Sequence, residues 1–248
     1  MKENENFEGN FDDDEISPGG SKIYRHKEGP GNQIWVPNQS CVHMEAVCAH
    51  FDRLYPGRES IVLHEIVSHL VHIDVHVLKP TENENFYVIF TTGMSDLPMT
   101  MPAEMPESHY LHLAELFMYL PASWDFEAAA GPDATAEGFW PVELLKFLAR
   151  MPHEYATWLG YGHTIPNGPN YNNLIPNSEM AAAVLVDVGR DISELTTENG
   201  ETINIYMVAP ISQAECEFKL EKGMDALLQL FQENDVPFIT DIYRGSVV

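Results

Sequence analysis

Basic residues are what this chain has least of. Thirteen Lys and Arg stand against 38 Asp and Glu, a formal charge of −25 over 248 residues. Such a surface repels phosphate backbones and anionic headgroups, so nucleic acid and membrane are not expected as partners, whereas a basic protein would be attracted. Cysteine is scarce too: Cys41, Cys48 and Cys216 make no CxxC pair. Cys41 and Cys48 lie seven apart in a stretch of helical spacing, where a disulfide is geometrically awkward, and all three are expected as free thiols of a reducing compartment. No apolar run approaches the ~20 residues of a spanning helix. Met1-Lys2-Glu3-Asn4 opens no secretory signal. The expected location is cytoplasmic.

Signatures of covalent or hydrolytic chemistry are missing as well. There is no Gly-rich phosphate loop, no nucleophile elbow and no Cys/His pair at a known spacing. His64 and His69 flank Glu65 but stand five apart, about 140° round a helix, where a zinc protease needs four. No catalytic residue, cofactor or metal is therefore expected, and the chain is read as a non-enzyme. Two alternatives stay open. His72, Asp74 and His76 at alternate positions of a strand, with Glu115, could serve a metal-dependent enzyme. A scaffolding homo-oligomer is the other, and the oligomeric state is left undetermined.

What is present is organised around residues 70–99. Val71, Ile73, Val75 and Val77 alternate with His72, Asp74 and His76, the period of a half-buried strand over 70–78. Residues 86–92 begin with the apolar run Phe86-Tyr87-Val88-Ile89-Phe90, a strand covered on both faces, and polar residues 79–85 are the hairpin turn between them. Residues 1–31, with Asp12-Asp13-Asp14-Glu15, lack apolar residues to bury and are expected as an acidic flexible tail. Residues 32–248 are then one domain. Within it the spacing predicts a helix after Ser40 that stops at Pro56-Gly57, a strand over 61–67 and a strand over 111–120. The last of these places Glu115 among large apolar neighbours, where a carboxylate needs hydrogen bonds or a cation.

Further on, 123–138 reads as a loop, Trp140-Pro141 as the start of a helix that Pro152 breaks, and 160–173 as a long exposed loop. Strands are expected over 180–188 and 202–209 with an Asn199-Gly200 turn between them, and helices over 212–222 and 224–233 separated by Gly223. His43 and His50 are read as surface residues. The fold class that follows is α+β, a mixed, mainly antiparallel sheet flanked by helices.

Several short motifs occur in order: Thr91-Thr92-Gly93-Met94-Ser95-Asp96, then Ala114-Glu115-Leu116, Leu120-Pro121, Trp140-Pro141 leading to Leu148-Ala149-Arg150, and Asp241 with Arg244. With the His72-Ile73-Asp74-Val75 strand they resemble the suppressor of fused family over residues 40–247. The resemblance implies a mixed α/β sandwich-like domain without enzymatic activity. Animal members sequester a zinc-finger transcription factor, holding a peptide in extended form, and carry a second domain. Stand-alone members are bacterial, and for them the implied role is that of an immunity protein that neutralises a toxin by binding it. For this chain the expectation is a protein-binding module whose partner is a basic toxin domain. Gly93, Met94, Ser95, Asp96, Asp74 and Glu115 are the expected protein-binding residues. Trp140, Pro141, Arg150, Asp241 and Arg244 are expected to maintain the fold, Asp241 and Arg244 as an ion pair.

Overall fold

The computed structural model describes residues 15–26, 41–66, 68, 70–105, 109–130 and 135–248. Helix α1 (Met44–Leu54) is followed by β1 (Ser60–Leu63), β2 (Asp74–Leu78), β3 (Phe86–Thr92) and β4 (Ala114–Pro121). After α2 (Phe126–Ala130) and α3 (Ala136–Glu154) come β5 (Thr164–Pro166), β6 (Met180–Val186), α4 (Arg190–Ser193), β7 (Glu194–Thr196) and β8 (Thr202–Ser212). Helices α5 (Gln213–Lys222) and α6 (Met224–Glu233) complete the order. The strands form one mixed sheet in the order β1-β2-β3-β4-β8-β6-β5. Every pairing between these strands is antiparallel except β4 with β8, and an isolated parallel bridge joins Tyr119 of β4 to Ile239. Strand β8 spans 11 residues and is flanked by β4 on one side, and by β7 and then β6 on the other.

The period-2 patterns decide the layering. Val75, Val77, Ile89, Leu116, Met118 and Leu120 point into one core, closed by Trp140, Val142, Leu145 and Leu148 of α3. Their alternates Leu78, Val88, Phe90, Phe117 and Tyr119 point into a second core, closed by Val47 and Phe51 of α1, with Cys216 of α5 and Leu228 and Phe231 of α6. Both faces of the sheet are thus helix-covered, which is why β3 and β6 read as continuous apolar runs. Phe51 stacks on Phe90 at 3.9 Å between ring centroids and meets Phe117 edge-on at 5.9 Å. This pinning of α1 has roughly 1 kcal/mol of ring-pair attraction beyond burial.

Several expectations are corrected. Strand β2 begins at Asp74, not at 70, because Leu70 adopts a positive φ of 61°. Every residue of β2 is buried, His76 lying against Cys48 of α1 rather than facing water. His43 and His50 are buried, not on the surface. Ser40, the expected cap of α1, lies outside the described residues; His43 occupies the N-cap. The strand expected over 61–67 is shorter, Ser60–Leu63. Segment 123–138 contains α2, capped by Asp125 Oδ1 accepting from the Ala128 amide at 2.9 Å. Helix α3 starts five residues before Pro141: Thr135 caps it, its hydroxyl accepting from the Gly138 amide at 3.1 Å. Trp140 is a buried core residue in this helix, and Pro141 and Pro152 are both inside it. Pro152 lies in the last turn, so it does not break the helix before Glu154. Within 160–173, β5 pairs with the edge of β6. The Asn199-Gly200 turn joins β8 to the short β7, with Gly200 at φ 83°.

Asp241 and Arg244 do not pair. Asp241 Oδ1 accepts from the Tyr243 amide at 3.0 Å, a local turn. Arg244 instead forms a two-pronged pair with the fully buried Glu215, at 2.5 and 2.8 Å, and lies over the Phe231 ring. Glu215 also completes a capping box with Ser212 at the start of α5. Of the expected tail, residues 15–26 include a bridged turn that docks on α5, the Gly19 amide donating to the Leu220 carbonyl and Lys219 Nζ to Ser21 Oγ. Replacing Arg244 by Met strands a buried carboxylate and is expected to cost about 3–5 kcal/mol in denaturant unfolding. Adding Glu215→Gln should return a large part of it; a double variant no better than the single would contradict a charge origin.

Candidate functional site

The 93–96 loop leaves the end of β3 and is held from three sides. Gly93 sits at φ 105°, and a Cβ there would overlap the His72 carbonyl oxygen, so only glycine lets the loop pass over the 70–73 segment. The residues after it wind into a single 3-10 turn, Met94–Asp96. From β4, the Glu115 carboxylate accepts four hydrogen bonds: Thr91 Oγ1 at 2.6 Å, the Gly93 and Ser95 amides at 3.0 Å each, and Ser95 Oγ at 2.7 Å. Thr91 Oγ1 in turn accepts from the Leu116 amide at 2.9 Å. Glu115 is 0% exposed. Burial pushes its carboxyl above the usual range, against the pull of the four donors.

Two histidines take the loop's carbonyls. His43 Nδ1 donates to Ser95 O at 3.0 Å and His153 Nε2 to Met94 O at 3.0 Å. Carbonyls accept only, which fixes the protonated nitrogen of each ring. Asp96 Oδ1 accepts from the His43 amide at 3.3 Å, so Asp96 caps α1 from across the chain. Sequence reasoning missed both histidines as loop anchors; no local spacing links them to a loop more than fifty residues away. Gly93, Met94, Ser95, Asp74 and Glu115 are buried, and Asp96 is partly buried. Their side chains therefore shape the surface next to them, where Val42 and Leu97 are exposed.

Asp74, expected beside these residues, lies in a separate cluster. Its Oδ2 is 2.9 Å from His64 Nδ1, and its Oδ1 is 3.0 Å from His72 Nε2 and 2.9 Å from the Glu65 amide. His76 is not a member. It bonds Thr92 Oγ1 at 3.0 Å and stacks on Phe90 at 4.8 Å, and burial lowers its affinity for a proton. The alternative His72/Asp74/His76 face is thus corrected to a cluster of His64, His72 and Asp74. Nearby, Arg150 of α3 pairs with Glu65, whose other oxygen accepts from the Ile73 amide at 3.1 Å. Burial pushes the Cys48 thiol, which lies against His76, up to about 11, away from the thiolate form.

A cavity of about 550 Å³ opens between β6, β8, α6 and the C-terminal segment. Leu228, Phe231, Val236 and Phe238 give it an apolar body, and Asp187, Asp235 and Asp241 contribute carboxylates. Arg244 reaches it too, already neutralised by Glu215.

Gly93→Ala is expected to lose about 3 kcal/mol or more in chemical denaturation, since positive φ and overlap act together; a loss under about 1 kcal/mol would show that the loop is not held as described. Burial holds His153 down to about 4 from the ordinary 6.5. The unfolded chain therefore binds one more proton between those values. Stability from this group is complete above pH 6.5 and is lost as the pH falls toward 4, by up to about 1.4 kcal/mol per pH unit. His153→Gln should flatten the stability–pH curve in that window; an unchanged slope would refute the assignment.

The family model for "Suppressor of fused protein (SUFU)" matches residues 69–245. The fold is similar to a putative suppressor of fused homologue from Neisseria gonorrhoeae, at TM-score 0.60 and 15% identity, covering 82% of this chain and 96% of that one. It is also similar to a chain in the crystal structure of a Sufu–Fu complex, at TM-score 0.59 and 14% identity, covering 82% and 91%. Drosophila Suppressor of Fused matches at TM-score 0.59 and 15% identity over 90% of this chain and 52% of its own. No curated protein matches the chain. With a family-model match that spans most of its length, the chain belongs to the suppressor of fused family.

Proposed function

We propose that this chain is a non-catalytic protein-binding module, an immunity protein that neutralises a basic toxin domain by binding it. The observation that carries the reading is charge placed beside an apolar hole. The 550 Å³ cavity presents Phe238, 63% exposed, together with three aspartates, on a chain of charge −25. An acidic field steers a basic partner into encounter, and an apolar pocket with a charged lining receives a long cationic side chain with its aliphatic stem buried. Glu115, the carboxylate a catalytic reading would need, has four donors and no exposure, so it supports a scaffold instead. One structural relative was solved as a Sufu–Fu complex, which supports partner binding as the working mode of this fold.

The test is binding of the full chain to a basic toxin domain encoded beside it. Affinity is expected to fall about tenfold or more as salt rises from roughly 50 to 300 mM, through screening of the steering field. Phe238→Asp should weaken the complex further, while Ile66→Asp, distant in sequence and 97% exposed, should not. Absence of a complex at any salt, or affinity indifferent to both salt and Phe238, would end the proposal.

A further inference from the structure

We infer that His64, His72 and Asp74 form a zinc site that clips the β1–β2 connection to the sheet. One nitrogen of each imidazole and one carboxylate oxygen lie within 4.8 Å of one another. Ligands at the ~2.0–2.1 Å bond lengths of tetrahedral zinc sit about 3.4 Å apart, so small side-chain movements suffice. Two imidazoles and a carboxylate are a donor set that suits zinc, and the three come from two segments that the ion would tie together.

The groups behind the ligands are placed as such a site needs. Ser68 Oγ lies 2.6 Å from His72 Nδ1, which leaves Nε2 aimed at Asp74. A ligating histidine is characteristically held by its other nitrogen in this way. The Glu65 amide fixes Asp74 Oδ1. Glu65 itself is tied to Arg150 and to the Ile73 amide, which anchors the chain between the ligands. Asp74 has a side chain only 5% exposed, yet among the described residues its ion-pair partners are these two imidazoles alone. A buried carboxylate calls for positive charge, and a divalent ion supplies it whatever the charge of the rings. His64, 70% exposed, leaves the site open to solvent on one side, where a water would complete four-coordination. The Gly93 loop rests on the His72 carbonyl, so the clip would also brace the element that α1 and α3 hold.

The experiment uses the full chain, stripped of metal and titrated with zinc chloride by calorimetry, with cobalt(II) as a spectroscopic substitute. One equivalent should bind, cobalt should give visible tetrahedral bands, and zinc should raise the melting temperature. His64→Gln, His72→Gln and Asp74→Asn should each weaken zinc at least tenfold and abolish the bands. His76→Gln should leave both unchanged. The exposure of His64 makes His64→Gln the variant that tests the site without risk to the fold, checked by circular dichroism. No stoichiometric binding, or binding that survives His64→Gln and His72→Gln on the chain's other histidines, would overturn the assignment.

Discussion

A carboxyl group with no cationic partner among the described residues organises this molecule. Glu115 sits in the middle of a sheet covered on both faces, and its carboxyl group is met by four hydrogen-bond donors from residues 91, 93 and 95. A buried ion left unpaired costs several kcal/mol, so the donors are obligatory partners and their geometry is constrained. Two of them are backbone amides, which forces the chain to turn back over β4 at once after β3. Gly93 is the residue that permits this turn, because a side chain there would meet the His72 carbonyl. The 3-10 turn Met94–Asp96, the seat of α1 and the contact with α3 all follow from where that carboxylate stands.

The chain handles its other deeply buried glutamate differently. Glu215 receives the guanidinium of Arg244 and two backbone amides, those of Ser212 and Val247. One carboxylate locks a loop by amides and hydroxyls; the other locks the C-terminus by an ion pair. In each case the group is polar because it must reach backbone at a fixed distance, a task no apolar side chain performs. Specificity of the local path, more than net stability, is what such groups give.

How much of this was legible depended on whether the signal was local. The strand beginning at Phe86 was readable from its apolar run through Phe90, since apolar identity on both faces is written in the run itself, and β3 continues two residues further through the buried Thr91 and Thr92. The two faces of β4 separated cleanly by parity, with Leu116 and Met118 in one core and Phe117 and Tyr119 in the other. Glu115 could be flagged from its apolar neighbours, and the need for hydrogen bonds stated, but not which donors would answer. Short elements failed: β5, β7 and α2 have three to five residues each, too few for a period to show. The start of α3 failed because Trp140-Pro141 is a persuasive helix opening, while the true cap, Thr135, precedes a segment with a glycine at 138. That glycine is needed because a Cβ would strike the Ala128 backbone where α2 crosses α3. Partner identities such as Arg244 with Glu215, or His64 with Asp74, are tertiary facts: the nearest-in-sequence guess gave Arg244 the wrong partner, and for Asp74 it found His72 but chose His76 in place of His64.

The shortage of basic residues acquires a further meaning once they are located. Arg58, Arg150, Arg244 and Lys219 are four of only 13, and their side chains or whole residues are largely buried. Arg58 lies over the rings of Tyr55 and Phe86, Arg150 holds Glu65, and Lys219 reaches the docked turn at Ser21. The cations left to face solvent are therefore fewer than the composition suggests; Asp74, Glu115 and Glu215 are buried as well, so the exposed surface keeps its large excess of acid. Self-repulsion of that surface works against the compact state. The fold resists it with two continuous cores and with buried polar locks that surface charge does not weaken. A scaffold built in this way fixes its shape from within, by groups that the acidic exterior does not have to supply.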